Sequence, residues 1–355
     1  MSARRRLRNA DWMLTLLARV DANAEIGIGH AMRCLALGEA CLLAGGRVDF
    51  VSAFPTPALE RRALERGIGF HCISTVPGSE DDARQLIELA RQRSNPTVVL
   101  DGYVFGYPYQ RAVKLAGLNL LCVDDYGHAG QYCADIILNQ NLWATEQMYQ
   151  RREPGTQLLL GSRYVLLRRE FLNASARQRE IPAAAAKILV TLGGGDAHNV
   201  TLKIVEALAV LGMEGMNAIV VAGPTNSHAG LLRSVIDGIC LPIKLLDETD
   251  SMSELMAWAD LAIAAAGSTC WELAVMGVPT LAVVTAGNQQ PCVEALGRMG
   301  IVRSLGSYQT LDVARVAHAI AALAGSLEER KAMSARSREL VDGQGAQNVI
   351  SVLGG

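Results

Sequence analysis

Arg19-Val20-Asp21-Ala22-Asn23-Ala24-Glu25-Ile26-Gly27-Ile28-Gly29-His30-Ala31-Met32-Arg33-Cys34-Leu35 joins an apolar run to an amphipathic one through a glycine-rich turn. An apolar run ends at Val20, a polar turn-prone segment follows, and two glycines bracket Ile28. Apolar residues then recur at helical spacing from about His30 to Ala44. The pattern predicts a strand, a glycine loop and a helix. Such a loop brings backbone N–H groups at a helix N-terminus close to an anionic ligand and presents the first helical side chain, here His30. A dinucleotide fingerprint would need a third glycine where Met32-Arg33 stand, and a P-loop would need Gly-Lys-Ser/Thr; neither is present. Taken alone, the stretch reads as an ordinary β–α turn with a solvated His30. Its company further along the chain raises the functional reading.

The chain has 355 residues, 50% of them hydrophobic and 19% charged. That length points to two domains of about 150 residues each, and the composition to well-packed globular cores rather than disorder. A formal net charge of -2 gives no electrostatic footprint for nucleic acid. The dense basic cluster Arg4-Arg5-Arg6 with Arg8 reads as a solvated tail. Eight cysteines (34, 41, 72, 122, 133, 240, 270 and 292) show no C-x-x-C spacing and read as reduced core residues of a cytoplasmic protein. The basic head and the apolar run from Trp12 to Ala18 mimic a signal peptide poorly, because Arg19 and Asp21 interrupt the apolar region. No segment reaches the roughly 18 uninterrupted apolar residues of a membrane span.

Further strands are predicted at 47–52, 69–73, 97–101, 119–123 and 134–138, with helices at 58–66 and 81–93. Several strands stop at polar residues: Asp101 before Gly102-Tyr103, Asp124-Asp125 after Val123, Asn139-Gln140-Asn141 after Leu138. This is the expectation for a parallel sheet that binds ligands outside its carboxyl ends. From about Gln147 the composition shifts to arginine, glutamate and a run of alanines. The alternation then starts afresh at Lys187 and passes through Gly193-Gly194-Gly195-Asp196 into a helix from about Asn199 to Leu211. The expected organisation is a basic extension (1–12), an N-terminal domain (13–165), a junction (166–186), a C-terminal domain (187–335) and a helical tail (336–355) able to return to the first domain. In the second half, Ala265-Ala266-Gly267-Ser268-Thr269-Cys270-Trp271-Glu272 is the most specific segment. A strand enters a Gly-Ser-Thr turn that is expected to cap a helix carrying Glu272 in its first turn. A later strand ends at Gly287-Asn288-Gln289-Gln290.

The motifs R-V-D-A-N-A-E-I-G-I-G-H-A-M-R-C-L-A-L, V-V-L-D-G-Y, D-I-I-L-N-Q-N, L-V-T-L-G-G-G-D-A-H-N-V-T, A-A-A-G-S-T-C-W-E-L-A-V-M-G-V-P and A-G-N-Q follow one another in this order. Together they resemble the UDP-2,4-diacetamido-2,4,6-trideoxy-β-L-altropyranose hydrolase family of pseudaminic acid biosynthesis, over roughly residues 14 to 350. The resemblance implies an α/β GT-B fold: two Rossmann-like parallel-sheet domains with an interdomain cleft, nucleotide on the second and sugar on the first. It implies cleavage of the anomeric C–O bond of a UDP-sugar by inverting attack of water. His30 then falls on the family's histidine, as general base or water-orienting group. Asp21 is assigned to orienting its loop, and Tyr103 to hydrogen bonding the sugar or the water. Gly193, Gly194, Gly195, Asp196, Gly267, Ser268, Thr269 and Glu272 are assigned to UDP, with Glu272 on the ribose. Gly27, Gly29, Arg33, Asn288 and Gln289 are assigned to the sugar and diphosphate. The implied partners are a small-molecule UDP-sugar and other enzymes of the sugar pathway.

Each residue also has a plainer reading. Glu272 would favour the positive end of its helix without any ligand, and Tyr103 would be a rim aromatic. Asp124-Asp125 resembles a carboxylate pair for a metal, but with His128 as the single nearby nitrogen ligand the pair reads better as loop capping or cleft hydrogen bonding. No metal and no cofactor are expected. The alternative activity is an inverting GT-B glycosyltransferase using a UDP-sugar donor, and a third class is a nucleotide-sugar-binding protein without turnover.

Overall fold

Apolar runs alternating with amphipathic segments build two parallel sheets in the computed structural model, which describes residues 13–23, 26–177, 179–223 and 225–354. The chain divides into two compact units. One holds residues 13–23, Ile28–Arg169 and 344–354 of the described chain, and the other is mostly Glu170–Gly343. The arginine cluster at 4–8 lies outside the described residues.

The first unit runs β1 (Thr15–Val20), α1 (Gly29–Leu43), β2 (Arg47–Ser52), α2 (Pro57–Leu64), β3 (Gly69–Cys72), α3 (Glu80–Arg91), β4 (Thr97–Asp101), α4 (Tyr107–Leu115), β5 (Asn119–Val123), β6 (Ile136–Asn139) and β7 (Gln157–Leu160). Its seven strands are parallel in the order β3-β2-β1-β4-β5-β6-β7. The order reverses direction between β1 and β4, so the loops after those two strands diverge to opposite faces and leave a crevice at their carboxyl ends.

After α5 (Arg169–Ser175), the second unit runs β8 (Lys187–Thr191), α6 (Val200–Leu211), β9 (Asn217–Val221), α7 (Ala229–Asp237), β10 (Ile243–Leu246), α8 (Met252–Trp258), β11 (Leu261–Ala265), α9 (Thr269–Val275), β12 (Thr280–Val284), α10 (Gln290–Arg298), β13 (Val302–Ser307), α11 (Val313–Gly325) and α12 (Leu327–Leu340). Its six parallel strands take the order β10-β9-β8-β11-β12-β13, with the reversal between β8 and β11. The last helix, α13 (Gly345–Leu353), belongs to the first unit and packs on α1. Gly345 permits this: a Cβ there would lie 2.2 Å from the Val165 carbonyl oxygen.

Helices α4, α5 and α7 and strands β7 and β13 are not read from the sequence. The arginine- and glutamate-rich stretch after Gln147 masks β7, a short edge strand in which only Leu159 is buried. Not all the cysteines are core residues. Cys34, Cys41, Cys122, Cys270 and Cys292 are buried, whereas Cys72 and Cys240 are exposed.

Strand alternation sends Leu16, Ala18 and Val20 to one face of the first sheet and Leu17 to the other. Arg19 points the same way as Leu17 and is fully buried, its guanidinium 5.1 Å from the Phe105 ring. A buried cation survives only if it is paired and hydrogen-bonded. Asp82 on α3 supplies a bidentate partner (Nε–Oδ1 2.9 Å, Nη2–Oδ2 2.8 Å), and Asp21 lies 2.7 Å from Nη1. Burial alone would lower the Arg19 pKa, but the two carboxylates outweigh it and raise the value. Asp82 also accepts from the Tyr109 hydroxyl at 2.8 Å and the Gly78 N–H at 2.8 Å.

Replacing Asp82 with alanine should therefore destabilise the protein by about 3–5 kcal/mol, the cost of removing one partner of a buried pair. Urea unfolding reads this directly. A loss below about 1 kcal/mol would mean that Asp21 alone satisfies Arg19.

Candidate active site

The sheet reversal in the first unit brings the end of β1 and the end of β4 side by side, in register Val20 with Asp101. The loop after β1 delivers α1, whose first turn carries His30 and whose second carries Arg33, one helical turn apart on the same face. Asp101 is the last residue of β4 and is 1% exposed. His30 Nδ1 lies 2.6 Å from Asp101 Oδ1. Arg33 grips the same carboxylate with two bonds, Nε to Oδ2 at 2.7 Å and Nη2 to Oδ1 at 2.6 Å. Its remaining arm, Nη1, donates to Asp125 Oδ1 at 2.8 Å.

These contacts decide the histidine tautomer. Burial by itself would raise the Asp101 pKa, but the Arg33 charge and then His30, with their hydrogen bonds, overcome it and hold the carboxyl well below the usual carboxylate range. An ionised carboxylate can only accept, so the proton in the 2.6 Å contact sits on His30 Nδ1. The approach of Arg33 Nη2 to the same nitrogen at 3.0 Å is then a close contact of two donors, each directed to the carboxylate. The tautomer leaves Nε2 as the basic nitrogen. A histidine oriented through Nδ1 by a buried carboxylate, with Nε2 as base, is the arrangement that activates a nucleophilic hydroxyl or water.

Tyr103 stands beside this pair, its ring 4.9 Å from the His30 ring in an edge-on contact. Its hydroxyl donates to Asp125 Oδ2 at 2.8 Å, and Asn141 Nδ2 donates to Asp125 Oδ1 at 3.0 Å. Asp124 turns the other way, accepting the Tyr126 and Gly127 N–H groups at 2.7 Å each and the Tyr132 hydroxyl, with His128 Nδ1 at 2.8 Å. Protein donors thus engage both carboxylates of the pair. Asp21 lies apart from His30, with Arg19, Ser52 and the Ala53 N–H as its partners. The carboxylate that orients His30 is Asp101.

Asp101 and Asn141 stand out in the sequence only as polar strand ends, and Asp125 only as half of a pair left between loop capping and cleft hydrogen bonding. The signal was present, because each closes a strand or follows one closely, but only the fold says which strands are neighbours. Gly29 opens α1, and Gly27 adopts a φ of 75°.

In the second unit the assigned residues gather at the carboxyl ends of β8, β11 and β12, adjacent strands around the reversal. The Gly193-Gly194 turn is held by Thr225, whose hydroxyl and N–H donate to the Gly194 carbonyl at 2.7 and 3.0 Å. Gly223, at a φ of 92°, lets these loops touch: a Cβ there would lie 2.5 Å from the Gly194 oxygen. Asp196 caps α6, accepting the Val200 and Thr201 N–H groups at 2.9 and 2.8 Å. Its carboxylate thereby takes up N–H groups that an external anion would otherwise use. Gly267, Ser268 and Thr269 form the turn into α9, with Glu272 half-buried in its first turn. Ser268 makes no capping side-chain bond, contrary to the capping expected of this turn. The Gln289 amide reaches across to within 3.8 Å of the Cβ position of Gly267, while its oxygen accepts the Thr285 N–H at 2.9 Å. Asn288 is exposed beside it.

The profile of the glycosyltransferase family 28 C-terminal domain matches residues 188–349. An uncharacterized protein of Methanocaldococcus jannaschii, MJ1062, is 24% identical over 281 residues, covering 77% of this chain and 56% of that protein. The spore coat polysaccharide biosynthesis protein SpsG of Bacillus subtilis is 26% identical over 200 residues, 56% of this chain and 58% of its own. The chain thus spans less than two thirds of the length of these relatives. Among solved structures, MurG of Acinetobacter baumannii superposes with a TM-score of 0.64 at 16% identity, over 96% of this chain and 99% of that one. Anabaena Alr3699/HepE, solved with UDP and glucose, gives 0.63 at 12% identity over 96% and 99%. At such identities the likeness is one of fold. The chain has the α/β GT-B fold of two Rossmann-like parallel-sheet domains. Among the described residues, no helix is long and apolar enough to cross a membrane.

The depressed pKa of Asp101 fixes a pH dependence. Its stabilisation is fully present above the unfolded carboxyl value, about 3.9, and is lost as the pH falls through the folded value. Asp101→Asn should therefore be less stable than the parent protein at pH 7, and the gap should narrow as the pH falls below about 4. Urea midpoints between pH 7 and 3 measure it; a gap independent of pH would show that the carboxyl is not held ionised.

Proposed function

We propose that this chain is a UDP-sugar enzyme in which His30, oriented by Asp101, removes a proton from a nucleophile as it attacks the anomeric carbon. The 2.6 Å contact between His30 Nδ1 and a buried, ionised carboxylate carries the reading, because it leaves Nε2 as a base at the sheet reversal, where open α/β sheets bind ligands. UDP is assigned to the second unit: the Gly193–Gly195 turn, Gly267, Ser268, Thr269, Glu272, Asn288 and Gln289. That assignment is supported by the family 28 C-terminal domain match, which spans all of these residues. In it, Glu272 takes the ribose hydroxyls. Arg33 serves as the charge that keeps Asp101 and Asp125 ionised.

Two nucleophiles fit one base. The family 28 match and the glycosyltransferases among the structural neighbours favour inverting transfer of the sugar to an acceptor hydroxyl. The ordered motif set around His30, Tyr103 and Glu272 favours the second reading, hydrolysis of UDP-2,4-diacetamido-2,4,6-trideoxy-β-L-altropyranose or a closely related UDP-sugar to free sugar and UDP. Either reaction breaks the anomeric C–O bond through an oxocarbenium-like transition state, with inversion. A cytoplasmic location and a supply of substrate from other sugar-modifying enzymes, in pseudaminic acid or another surface polysaccharide pathway, belong to the same proposal. The polysaccharide role named for SpsG is consistent with it.

His30→Ala should lower turnover by about 10²- to 10⁴-fold, the usual contribution of a general base, with UDP affinity unchanged. Glu272→Ala should instead weaken UDP binding, since it leaves ligand donors unpaired. Calorimetry with UDP and UDP release from the UDP-sugar separate the two. Equal damage to UDP binding by both substitutions would contradict the division of labour. Incubation without acceptor, in water enriched in heavy oxygen, divides the nucleophiles: label on the sugar with unlabelled UDP means hydrolysis at carbon, and UDP release only after adding an acceptor means transfer. Label in UDP would move the attack to phosphorus and remove His30 from its role.

A further inference from the structure

Asp125 accepts hydrogen bonds from three groups around His30: Arg33, Tyr103 and Asn141. Oδ1 receives two donors, Arg33 Nη1 at 2.8 Å and Asn141 Nδ2 at 3.0 Å. Oδ2 receives the Tyr103 hydroxyl at 2.8 Å. Burial would raise the Asp125 pKa, yet the adjacent Arg33 lowers it below the usual carboxylate value. The carboxylate therefore has no proton to give, and Tyr103 must be the donor of their bond. A phenol that gives its only proton inward keeps acceptor lone pairs alone for any other group. Tyr103 is 37% exposed, and its ring lies against His30.

We propose that Asp125 is a positioning residue that fixes Tyr103 as a hydrogen-bond acceptor, so that the site takes a ligand carrying an O–H or N–H donor next to the atom that His30 serves. The inference rests on the proposed UDP-sugar reading and adds what the pocket requires of the ligand. A sugar hydroxyl, an amide N–H on the sugar or a hydrogen of the nucleophile all meet the requirement. A ligand presenting an ether or carbonyl oxygen at that point meets lone pair with lone pair. Arg33 unites the two halves of the site, since one guanidinium holds both the carboxylate that orients His30 and the one that polarises Tyr103.

Asp125→Asn tests the polarity without changing shape. The amide oxygen stays where Arg33 and Asn141 donate, which turns the NH₂ group toward Tyr103 and reverses the phenol, sending its proton outward. Tyr103→Phe removes the acceptor. Each substitution should lower kcat/KM for UDP release from UDP-2,4-diacetamido-2,4,6-trideoxy-β-L-altropyranose by about tenfold, on the scale of one lost hydrogen bond. The double variant should also lose about tenfold, because both changes remove the same contact. UDP affinity and the urea midpoint of Tyr103→Phe should match the parent protein, which a merely structural role would not require. The same cycle can be read as UDP-sugar affinity in a His30→Ala background. A hundredfold loss in the double variant, or a single variant within twofold of the parent, would overturn the assignment of Asp125. Full turnover by His30→Ala would instead overturn the general-base reading and leave the coupling of Asp125 to Tyr103 standing.

Discussion

Asp101 is a carboxylate with almost no exposed surface, and it stays ionised only because two groups on one face of α1 meet it there. Arg33 provides the charge, His30 donates from Nδ1 to Oδ1, and the Cys34 thiol lies 3.4 Å from Oδ2. The requirement runs in both directions. Without Asp101, Arg33 would be a buried cation held by Asp125 alone, and His30 would have nothing to choose its tautomer. This one contact set ties the start of α1 to the end of β4 and sets the chemistry of the imidazole.

The fold makes the meeting possible. A parallel sheet puts the carboxyl ends of all its strands on one edge, and reversal of the winding opens that edge between β1 and β4. The loop after β1 can then place a helix face against the last residue of β4. The second sheet reverses in the same way between β8 and β11, and there too the glycine turns and the amide of Gln289 collect. Two units of like topology thus carry unlike groups at their reversals: a histidine with its carboxylates in the first, glycine turns and helix starts in the second.

Much of this could be read from the sequence. The strands at Arg47–Ser52, Thr97–Asp101 and Asn119–Val123 have the bounds expected of them, since their buried β-branched and leucine runs have few alternatives. Helix α4 was hidden by Tyr107-Pro108-Tyr109, which reads as a turn but is a helix start with proline in its first turn. Strand β7 was hidden because it lies at a sheet edge, where a single fully buried side chain leaves almost no periodic signal. His30, Tyr103 and Arg33 could be picked out by residue type and motif. Asp101 could not be paired with His30 over Asp21, because sequence distance favours Asp21, nine positions away, over a residue on another strand. The sheet order makes the choice, and it sends Asp21 to Arg19.

Asp101 holds His30 with the proton on Nδ1 and the lone pair on Nε2. Nitrogen NMR of the protein labelled at its histidine rings, assigned by comparison with His30→Ala, reads that state without any substrate. At a pH where the imidazole is neutral, His30 should show a protonated Nδ1 and a bare Nε2, and Asp101→Asn should disturb this pattern at His30 and at no other histidine. A neutral His30 protonated at Nε2, or two interconverting tautomers unchanged by Asp101→Asn, would contradict the account.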